Sequence, residues 1–343
     1  METVDVTVKG AGVFGLSVAY ACLRAGARVR VVDPAGVAAG ASGGVVGALA
    51  PHAPDGWNDK KQFQFDSLCL SESFWPEIDA LSGLSSGYGR VGRVQPVSDD
   101  RGLALARARE ATARDLWQGR ADWRIRPAAE LGAWAPAGAA GFVVQDTLSA
   151  RLHPLRATRS LAGAVRALGA EIVPRAADVG AVVWATGAAG LEDLSRRLGR
   201  SAGVGVKGQA ALLAHDAGAA PQIYADGIHI VPHDDGTVGI GSTTERDFDD
   251  PGATDGALDA VIARARTICP ALEGAPVVAR WAALRPRAAS RAPLLGPWPD
   301  RPGHYVANGG FKIGFGMAPL VGRVMADLVL EGRDAVPPAF RLV

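Results

Sequence analysis

The stretch DVTVKGAGVFGLSVAYACLRAGARVRVVD, residues 5–33, decides the fold of the first part of the chain. A short run typical of a strand, DVTV, precedes three glycines (Gly10, Gly12 and Gly15) and a segment with helical periodicity. A second strand pattern, RVRVVD, ends at Asp33, 23 residues after Gly10. This arrangement is typical of a dinucleotide-binding βαβ unit, in which an acidic residue follows about 20 positions after the glycines.

Each part of this motif has a physical role. We expect Gly10 to form the tight turn, Gly12 to let a pyrophosphate approach the main chain, and Gly15 to let the helix pack closely against the strand. The N-terminus of the helix would face the phosphates, and Asp33 would accept hydrogen bonds from ribose hydroxyls. A glycine turn in an ordinary α/β protein is the alternative, and the motif itself does not distinguish FAD from NAD.

The segment GVAAGASGGVVGALAPHAP, residues 36–54, favours FAD. An NAD-binding unit would normally continue with another helix of mixed composition. Here a long loop of small residues follows the second strand, and such a loop lets main-chain amides lie against a large cofactor. A flexible linker is the alternative, but VVGALA has more β-branched and aliphatic residues than a linker carries.

A second cofactor-type segment is GAVVWATGAAG, residues 180–190. Its apolar run is typical of a buried parallel strand. The strand ends at Ala185, Thr186 and Gly187, and ligands of open α/β sheets bind at the carboxyl ends of the strands.

Composition excludes several other classes of protein. The net charge is +1 and 21% of residues are charged, so the sequence predicts no strong attraction to nucleic acid or anionic membranes. Three scattered cysteines (Cys22, Cys69 and Cys269) lack the spacing of a metal site and are typical of a reducing compartment. The first residues enter a strand pattern at once, and the glycine-rich charge-free run 34–54 is a poor membrane span. We therefore expect a cytoplasmic protein without a metal.

The sequence as a whole resembles the FAD-dependent D-amino-acid oxidase family, and most closely its glycine oxidase and sarcosine oxidase-like branch. The resemblance covers nearly the whole chain. Its motifs, which follow each other in family order, are GAGVFGLSVAY…VVD (10–33), GASGGVVGALAPHA (40–53), LHPLRATRSLAGAVRALGAEI (152–172), VVWATGAAG (182–190), VKGQ (206–209), IHIVPHDDGTVGIGSTTERDFD (228–249), WAALRPR (281–287) and GGFKIGFGMAPLVGRVMADLVL (309–330).

The resemblance implies a two-domain α/β (α+β) fold. A Rossmann-type FAD domain would be assembled from the discontinuous segments 1–55, 147–206 and 282–343. A substrate domain with a large mixed or antiparallel sheet would comprise residues 56–146 and 207–281. Hydrophobic periodicity and turn signals agree, because they predict helices at 60–80, 100–117, 152–170 and about 319–331, and an antiparallel meander at 222–243.

The resemblance also implies which residues hold non-covalent FAD. They lie in the glycine motif, the small-residue loop, the strand ends and the C-terminal block. They are Gly10, Gly12, Val13, Phe14, Gly15, Asp33, Pro34, Ala41, Ser42, Val46, Gly47, Ala48, Asp178, Ala185, Thr186, Gly187, Gly310, Phe311, Lys312, Ile313, Gly314, Phe315 and Gly316.

The substrate site is implied by the same resemblance. In the family, the arginine of the LRP motif holds the substrate carboxylate in two hydrogen bonds, and this arginine is Arg285 here. From the residues alone, a structural arginine near a proline turn stays an alternative. Lys312 and His229 stand where the glycine oxidase branch has a second arginine and a tyrosine, and a structural role stays open for His229. His52 fits a branch pattern near the flavin.

Two departures from the family pattern bear on the cofactor. The hairpin that usually precedes the VVWATG strand is reduced to about VPRAADVGA (173–181), so we expect a reshaped adenine end of the FAD site. The flavin-linking cysteine of sarcosine oxidases falls near Ala283, where this chain has none of its cysteines. Non-covalent FAD is therefore expected.

The function implied is an FAD-dependent oxidase or dehydrogenase acting on CH–NH or CH–NH2 donors. It would oxidise a small amino acid (glycine, a D-amino acid or an N-methyl amino acid) to an imine that hydrolyses to an oxo acid. Dioxygen is the expected acceptor, giving hydrogen peroxide. The expected partner is a small amine with a carboxylate, no nucleic acid is expected, and a homo-oligomer stays open.

Two alternatives stay open as well. One is the oxidase half of a bifunctional modifier of tRNA wobble uridines, against which the near-neutral charge argues. The other is a non-catalytic flavoprotein subunit. An NAD dehydrogenase is disfavoured by the 36–54 loop and by the C-terminal block.

Overall fold

The computed structural model describes residues 4–342, and within them the chain forms sixteen strands and seven α-helices. The strands are β1 (Val6–Lys9), β2 (Val29–Val32), β3 (Gly47–Leu49), β4 (Arg93–Val97), β5 (Trp123–Pro127), β6 (Phe142–Asp146), β7 (Ala150–Leu152), β8 (Glu171–Val173), β9 (Ala181–Trp184), β10 (Gly203–Ala214), β11 (Gln222–Ala225), β12 (Ile228–Pro232), β13 (Thr237–Gly241), β14 (Val277–Ala288), β15 (Leu294–Pro297) and β16 (His304–Asn308). The helices are α1 (Val13–Arg24), α2 (Asp59–Ser82), α3 (Asp100–Leu116), α4 (Pro154–Ala167), α5 (Gly187–Leu198), α6 (Gly256–Ile268) and α7 (Gly314–Glu331).

A six-stranded sheet contains the predicted dinucleotide-binding unit, and its strands run in the order β15-β16-β9-β1-β2-β8. The central strand β1 pairs in parallel with β2 and β9, with Val6 opposite both Val29 and Ala181. Only the edge strand β15 is antiparallel to its neighbour among the described strands of this sheet. The strands come from distant parts of the chain, which confirms the predicted Rossmann-type fold built from discontinuous segments.

Helix α1 lies close to its neighbours because two glycines remove side chains from the contacts. A Cβ atom on Gly15 would lie 2.0 Å from the carbonyl oxygen of Gly10. A Cβ atom on Gly322 of α7 would lie 2.5 Å from the carbonyl oxygen of Ser17. Since neither position tolerates a side chain, Gly15 sets how closely α1 packs on the turn before it, and Gly322 sets how closely α7 packs on α1.

The second large sheet has eight strands in the order β14-β10-β13-β12-β11-β4-β6-β5. Only β11 and β4 pair in parallel among these described strands, so the sheet is mixed as predicted. Strands β11, β12 and β13 form the predicted antiparallel meander. Helix α6 packs its apolar residues, including Leu258 and Ile262, into the core on one face of this sheet.

The opposite face of this sheet carries a row of four residues in register. Trp281 of β14 pairs with Ala210 of β10, Ala210 pairs with Gly241 of β13, and Gly241 pairs with His229 of β12. Residues directly opposite each other on paired strands project to the same face. The large rings of Trp281 and His229, each with a polar N–H group, therefore flank two small residues on one side of the sheet.

The predicted helices form, with one displaced start. The sequence predicts the last helix from about Pro319, whereas α7 begins at Gly314 and contains Pro319 in its second turn. Proline is common in the first turn of a helix, which is why Pro319 suggests a helix start. In the second turn it removes only one main-chain hydrogen bond, so α7 tolerates it there. The early start places the small residues Gly314 and Gly316 inside the helix, next to the site described below.

The predicted domain boundaries stay a prediction, and the boundaries at residues 1 and 343 lie outside the described residues. The long strands β10 and β14 run through the expected limits at 206/207 and 281/282 as one continuous antiparallel pair. Over residues 4–342, no helix combines the length and apolarity that crossing a membrane requires.

Candidate active site

A single cavity of about 780 Å³ runs from the glycine motif to the face of the eight-stranded sheet. Its lining comes from both large sheets and from the loop that follows β2. Most of the predicted cofactor residues line it. They are Gly10, Gly12, Val13, Phe14, Asp33, Pro34, Ala41, Ser42, Val46, Gly47, Ala48, Ala185, Thr186, Gly187, Gly310, Phe311, Lys312, Gly314, Phe315 and Gly316.

The glycine motif forms one end of this cavity. Gly10 has a φ of +110°, and a Cβ atom there would lie 2.3 Å from the carbonyl oxygen of Ala185. Gly12 is the N-cap of α1 and has no side chain to cap the helix, while the amide of Val13 donates a hydrogen bond to Ser42 Oγ at 3.0 Å. A Cβ atom on Gly12 would lie 3.1 Å from Ser42 Oγ. These features fit a pyrophosphate at the helix N-terminus, as FAD would require.

Asp33 stands beside the glycine motif at the end of β2. Its Oδ2 accepts a hydrogen bond from the amide of Ala11 at 2.8 Å, and its Oδ1 accepts one from the amide of Ala35 at 2.9 Å. Both contacts hold the carboxylate in a fixed orientation at the cavity wall. Each oxygen keeps a lone pair for a ribose hydroxyl, which again fits FAD.

The small-residue loop passes between the two sheets. A Cβ atom on Gly47 would lie 2.0 Å from the carbonyl oxygen of Leu152, and one on Gly239 would lie 2.3 Å from that of Val45. A Cβ atom on Gly44 would touch the ring of Trp281 at 3.4 Å. The loop can therefore lie flat against the eight-stranded sheet only because both surfaces have small residues at the crossing.

Arg285 lies in the cavity wall on β14 and is only 7% exposed. Its Nη2 donates a hydrogen bond to the carbonyl oxygen of Thr243 at 3.0 Å. Within residues 4–342, no carboxylate forms an ion pair with this guanidinium. Burial lowers the pKa of Arg285 to about 10, and the charge of Glu245 opposes this shift. A buried, incompletely paired guanidinium is costly, and a bound anion would offset that cost.

Lys312 follows the C-terminal strand β16 and faces the same cavity. Its Nζ lies 5.9 Å from the centre of the Phe311 ring. Burial of the ammonium group and the positive charge of Arg285 lower the pKa of Lys312 to about 8. The two cations therefore act on each other within one cavity.

His229 completes this end of the cavity. Its ring centre lies 4.5 Å from that of Tyr224, the residue opposite it on β11. The Nδ1 atom is buried and has no hydrogen-bond partner among the described residues. Burial is the main cause that lowers the pKa of His229 to about 3, and the positive charges of Arg93 and Lys312 contribute to the same shift. The imidazole is therefore neutral at physiological pH, with one ring nitrogen as donor and the other as acceptor.

Four of the predicted site residues do not line the cavity. His52 is turned towards Gln64, whose Oε1 accepts from the His52 amide at 2.9 Å and contacts its Nδ1. Asp178 is held by an ion pair with Lys9 at 2.5 Å. Gly15 lies at the close contact between α1 and the turn before it. Ile313 is the N-cap of α7 and packs against the main core.

Several cavity residues escaped the sequence prediction. Trp281 belongs to the row of four residues on the eight-stranded sheet, and Ser242 comes directly after Gly241 of that row; both line the cavity. Asn308 closes the end of β16, where its Nδ2 donates to the carbonyl oxygen of Gly187 at 2.9 Å. The tryptophan stands in the quoted motif WAALRPR, but only the strand register shows that its side chain shares a face with His229. No group of three or more potential metal-ligating side chains lies together in the part of the chain that the structure describes.

Comparison with known proteins agrees with this geometry. The family described as FAD dependent oxidoreductase (DAO) matches residues 5–328. Glycine oxidase of Pseudomonas aeruginosa is 30% identical over 366 residues, which cover 97% of this chain and 97% of the relative. Glycine oxidase of Bacillus licheniformis is 25% identical over 358 residues, covering 95% of this chain and 93% of the relative. The crystal structure of glycine oxidase from Geobacillus kaustophilus superimposes with a TM-score of 0.86 at 23% identity, over 100% of this chain and 99% of that one.

Proposed function

The chain belongs to the DAO family of FAD-dependent oxidoreductases, and on that premise we propose that it oxidises the carbon–nitrogen bond of a small amino acid held by its carboxylate. The substrate would be glycine, a D-amino acid or an N-methyl amino acid. Its CH–NH bond would become an imine, and hydrolysis would give an oxo acid and ammonia or an amine. Dioxygen would accept the two electrons and two protons, giving hydrogen peroxide.

The observation that carries this proposal is the buried guanidinium of Arg285. It faces the cavity with one hydrogen bond to a main-chain carbonyl and no ion-pair partner within residues 4–342. A planar guanidinium matches a carboxylate in two parallel hydrogen bonds, which fix the orientation of a ligand as well as adding affinity. A substrate carboxylate would supply the missing negative charge.

Bound FAD would supply the acceptor for hydride from the α-carbon of the substrate. The residues that fit it are the amides at the N-terminus of α1, Asp33, and the small-residue loop 39–48. A bulky ligand can approach the main chain at these places because side chains are absent or small.

The protein's own contribution would be positioning. Arg285 would hold the carboxylate, and Lys312 would add a second positive charge to the same region. His229 would be neutral, so it would form a hydrogen bond with the substrate without adding a positive charge to the site. Holding a reacting carbon in a fixed orientation accounts for several kcal/mol of rate acceleration, on the order of 7–11 in favourable cases.

The test is anaerobic reduction of the bound flavin by a panel of glycine, sarcosine, D-amino acids and proline. Loss of the oxidised flavin absorption with one of these supports the proposal, and peroxide formation on readmission of air supports dioxygen as acceptor. A flavoprotein that none of the panel reduces would refute the proposal and favour the non-catalytic flavoprotein subunit.

We also propose that the enzyme acts in the cytoplasm. All three cysteines are free and buried, and no pair of them is joined. Disulfides are uncommon in reducing compartments, which agrees with this location.

A further inference from the structure

We propose that Gly208 is a positioning residue for Arg285, because its missing side chain creates the space that the guanidinium occupies. The kinetic part of this inference rests on the proposed function of Arg285. The structural part does not, and it is tested separately below.

The geometry of the contact is direct. A Cβ atom built on Gly208 would lie 1.3 Å from Nη2, 2.0 Å from Cζ and 2.3 Å from Nε of Arg285. Real Cβ atoms essentially never approach another heavy atom this closely. The guanidinium of β14 therefore lies on the main chain of β10, and any side chain at residue 208 would take its place.

The neighbours of Gly208 hold the strand from its other face. Lys207 Nζ pairs with Asp255 at 3.3 Å and with Glu245 at 3.7 Å. Gln209 Nε2 donates to Asp255 Oδ1 at 2.8 Å and to Glu245 Oε1 at 3.0 Å. Both side chains are buried, with Lys207 at 2% and Gln209 at 0% exposure. Since residues 207 and 209 point away from residue 208, β10 cannot easily withdraw to admit a larger residue.

Thr243, which lies two residues after the end of β13, fixes the guanidinium from the side. Its carbonyl oxygen accepts from Arg285 Nη2 at 3.0 Å, and its Oγ1 accepts from the amide of Gln209 at 2.8 Å. One edge of the guanidinium is therefore tied to the protein while its other donors remain for a ligand. Arg285 is set in one orientation by Gly208 below it and Thr243 beside it.

The test compares Gly208→Ala with a matched glycine substitution. The φ of Gly208 lies outside the left-handed range, so alanine can adopt the main-chain conformation there. Gly256→Ala at the start of α6 is the control, because a Cβ atom at that position meets nothing within 4 Å. Both changes are also made in an Arg285→Leu background. The measurements are the melting temperature, benzoate binding seen in the flavin spectrum, and the anaerobic reduction rate at varied substrate concentration.

If the inference is right, Gly208→Ala lowers the melting temperature of the parent but not that of Arg285→Leu, in which the guanidinium is gone. It also weakens benzoate binding and lowers the reduction rate at limiting substrate by about 10- to 100-fold, the range of one misplaced charge-assisted contact. Gly256→Ala changes none of these quantities. If Gly208→Ala does not fold and the double variant Gly208→Ala, Arg285→Leu does, the clash with the guanidinium is confirmed.

Three results would overturn the inference. Gly208→Ala could bind benzoate and be reduced like the parent. It could lower the melting temperature equally in both backgrounds, or the double variant could fail to fold. Failure of the proposed function looks different, since the melting temperatures would still depend on Arg285 while no amine reduced the flavin.

Discussion

Arg285 Nη2 and the carbonyl oxygen of Thr243 lie 3.0 Å apart, and this is the hydrogen bond that the buried guanidinium makes to the described part of the chain. A single neutral acceptor does not balance a charge with five N–H donors. Arg285 lines the cavity that extends to the glycine motif, and its remaining donors have no hydrogen-bond partner within residues 4–342. Because Nη2 is bound to Thr243 while the other donors have no partner among the described residues, Arg285 is a candidate for binding a carboxylate.

Replacing Gly12 by valine should block FAD uptake. The φ of Gly12 is −88°, so valine can adopt the main-chain conformation at this position. Its branched side chain would occupy the space beside Ser42 and the N-terminus of α1. We expect a colourless, folded protein, measured by flavin absorbance and circular dichroism. Gly256→Val, in open space, should load fully. Full flavin loading of Gly12→Val would contradict the assignment of the pyrophosphate site.

FAD should be released when the protein is precipitated with acid. None of Cys22, Cys69 and Cys269 lines the cavity, and burial raises the pKa of all three thiols, so they are unreactive. The expected result is a yellow supernatant and a colourless pellet, with FAD identified by chromatography. Flavin that stays with the pellet would reveal a covalent link.

Carboxylate binding should weaken as the pH rises through about 8, because Lys312 loses its proton there. The folded pKa lies below the usual 10.5, so the ammonium charge is present below pH 8 and disappears above it. We expect benzoate, which does not itself titrate in this range, to bind more weakly at pH 9 than at pH 7. Lys312→Met should bind benzoate weakly at both pH values, with a loss of about tenfold at pH 7.

Arg287→Met is the control for this experiment. Arg287 lies 5.7 Å from the same Phe311 ring but does not line the cavity. Its loss should leave both the affinity and the pH dependence intact. A pH dependence that survives in Lys312→Met would exclude Lys312 as its source.

Buried neutral histidines should make the protein less stable in acid. The pKa of His229 is about 3 in the folded chain against 6.5 when unfolded, so the unfolded chain binds more protons between these values. Stability therefore falls as the pH decreases from about 6.5 towards 3. His229→Gln should remove roughly 1.6 kcal/mol of this loss between pH 6.5 and 5, measured by urea unfolding.

His233 provides a comparison within the same measurement. Burial lowers its pKa to about 4, and its Nε2 contacts the carbonyl oxygen of Val45 at 3.0 Å. Some acid sensitivity should therefore remain in His229→Gln. An unchanged slope in that variant would mean that His229 is accessible to protons in the folded state.

The features that could be predicted from the sequence are local ones. Asp33 lies 23 residues after Gly10, so the spacing of the glycine motif and Asp33 directly encodes a turn, a helix and a strand end. The meander was readable because each of its turns is marked by Asp-Gly. Arg285 stands out in the sequence because a charged residue between Leu284 and Pro286 is unusual in an apolar segment.

The features that could not be predicted depend on contacts between distant segments. The space above Gly208 exists only because β10 and β14 pair in one particular register. The sequence does not show that Asp178 and His52 lie outside the cavity lining, because their partners, Lys9 and Gln64, are set by tertiary packing. Pro319 suggested a helix start because proline is common in the first turn, whereas α7 tolerates it one turn later.

The most direct test of the central claim is anaerobic flavin reduction in Arg285→Leu, measured beside the parent, Arg285→Lys and the control Arg287→Leu. If Arg285 binds the substrate carboxylate, Arg285→Leu keeps its fold and its FAD but is reduced about 30- to 1,000-fold more slowly, as expected for losing about 2–4 kcal/mol of a bidentate contact. Arg285→Lys recovers only part of the rate, because a point charge cannot replace the planar fork, and Arg287→Leu behaves like the parent. Benzoate should perturb the flavin spectrum of the parent but not that of Arg285→Leu. Reduction of Arg285→Leu at the parent's rate, with unchanged benzoate binding, would contradict the account.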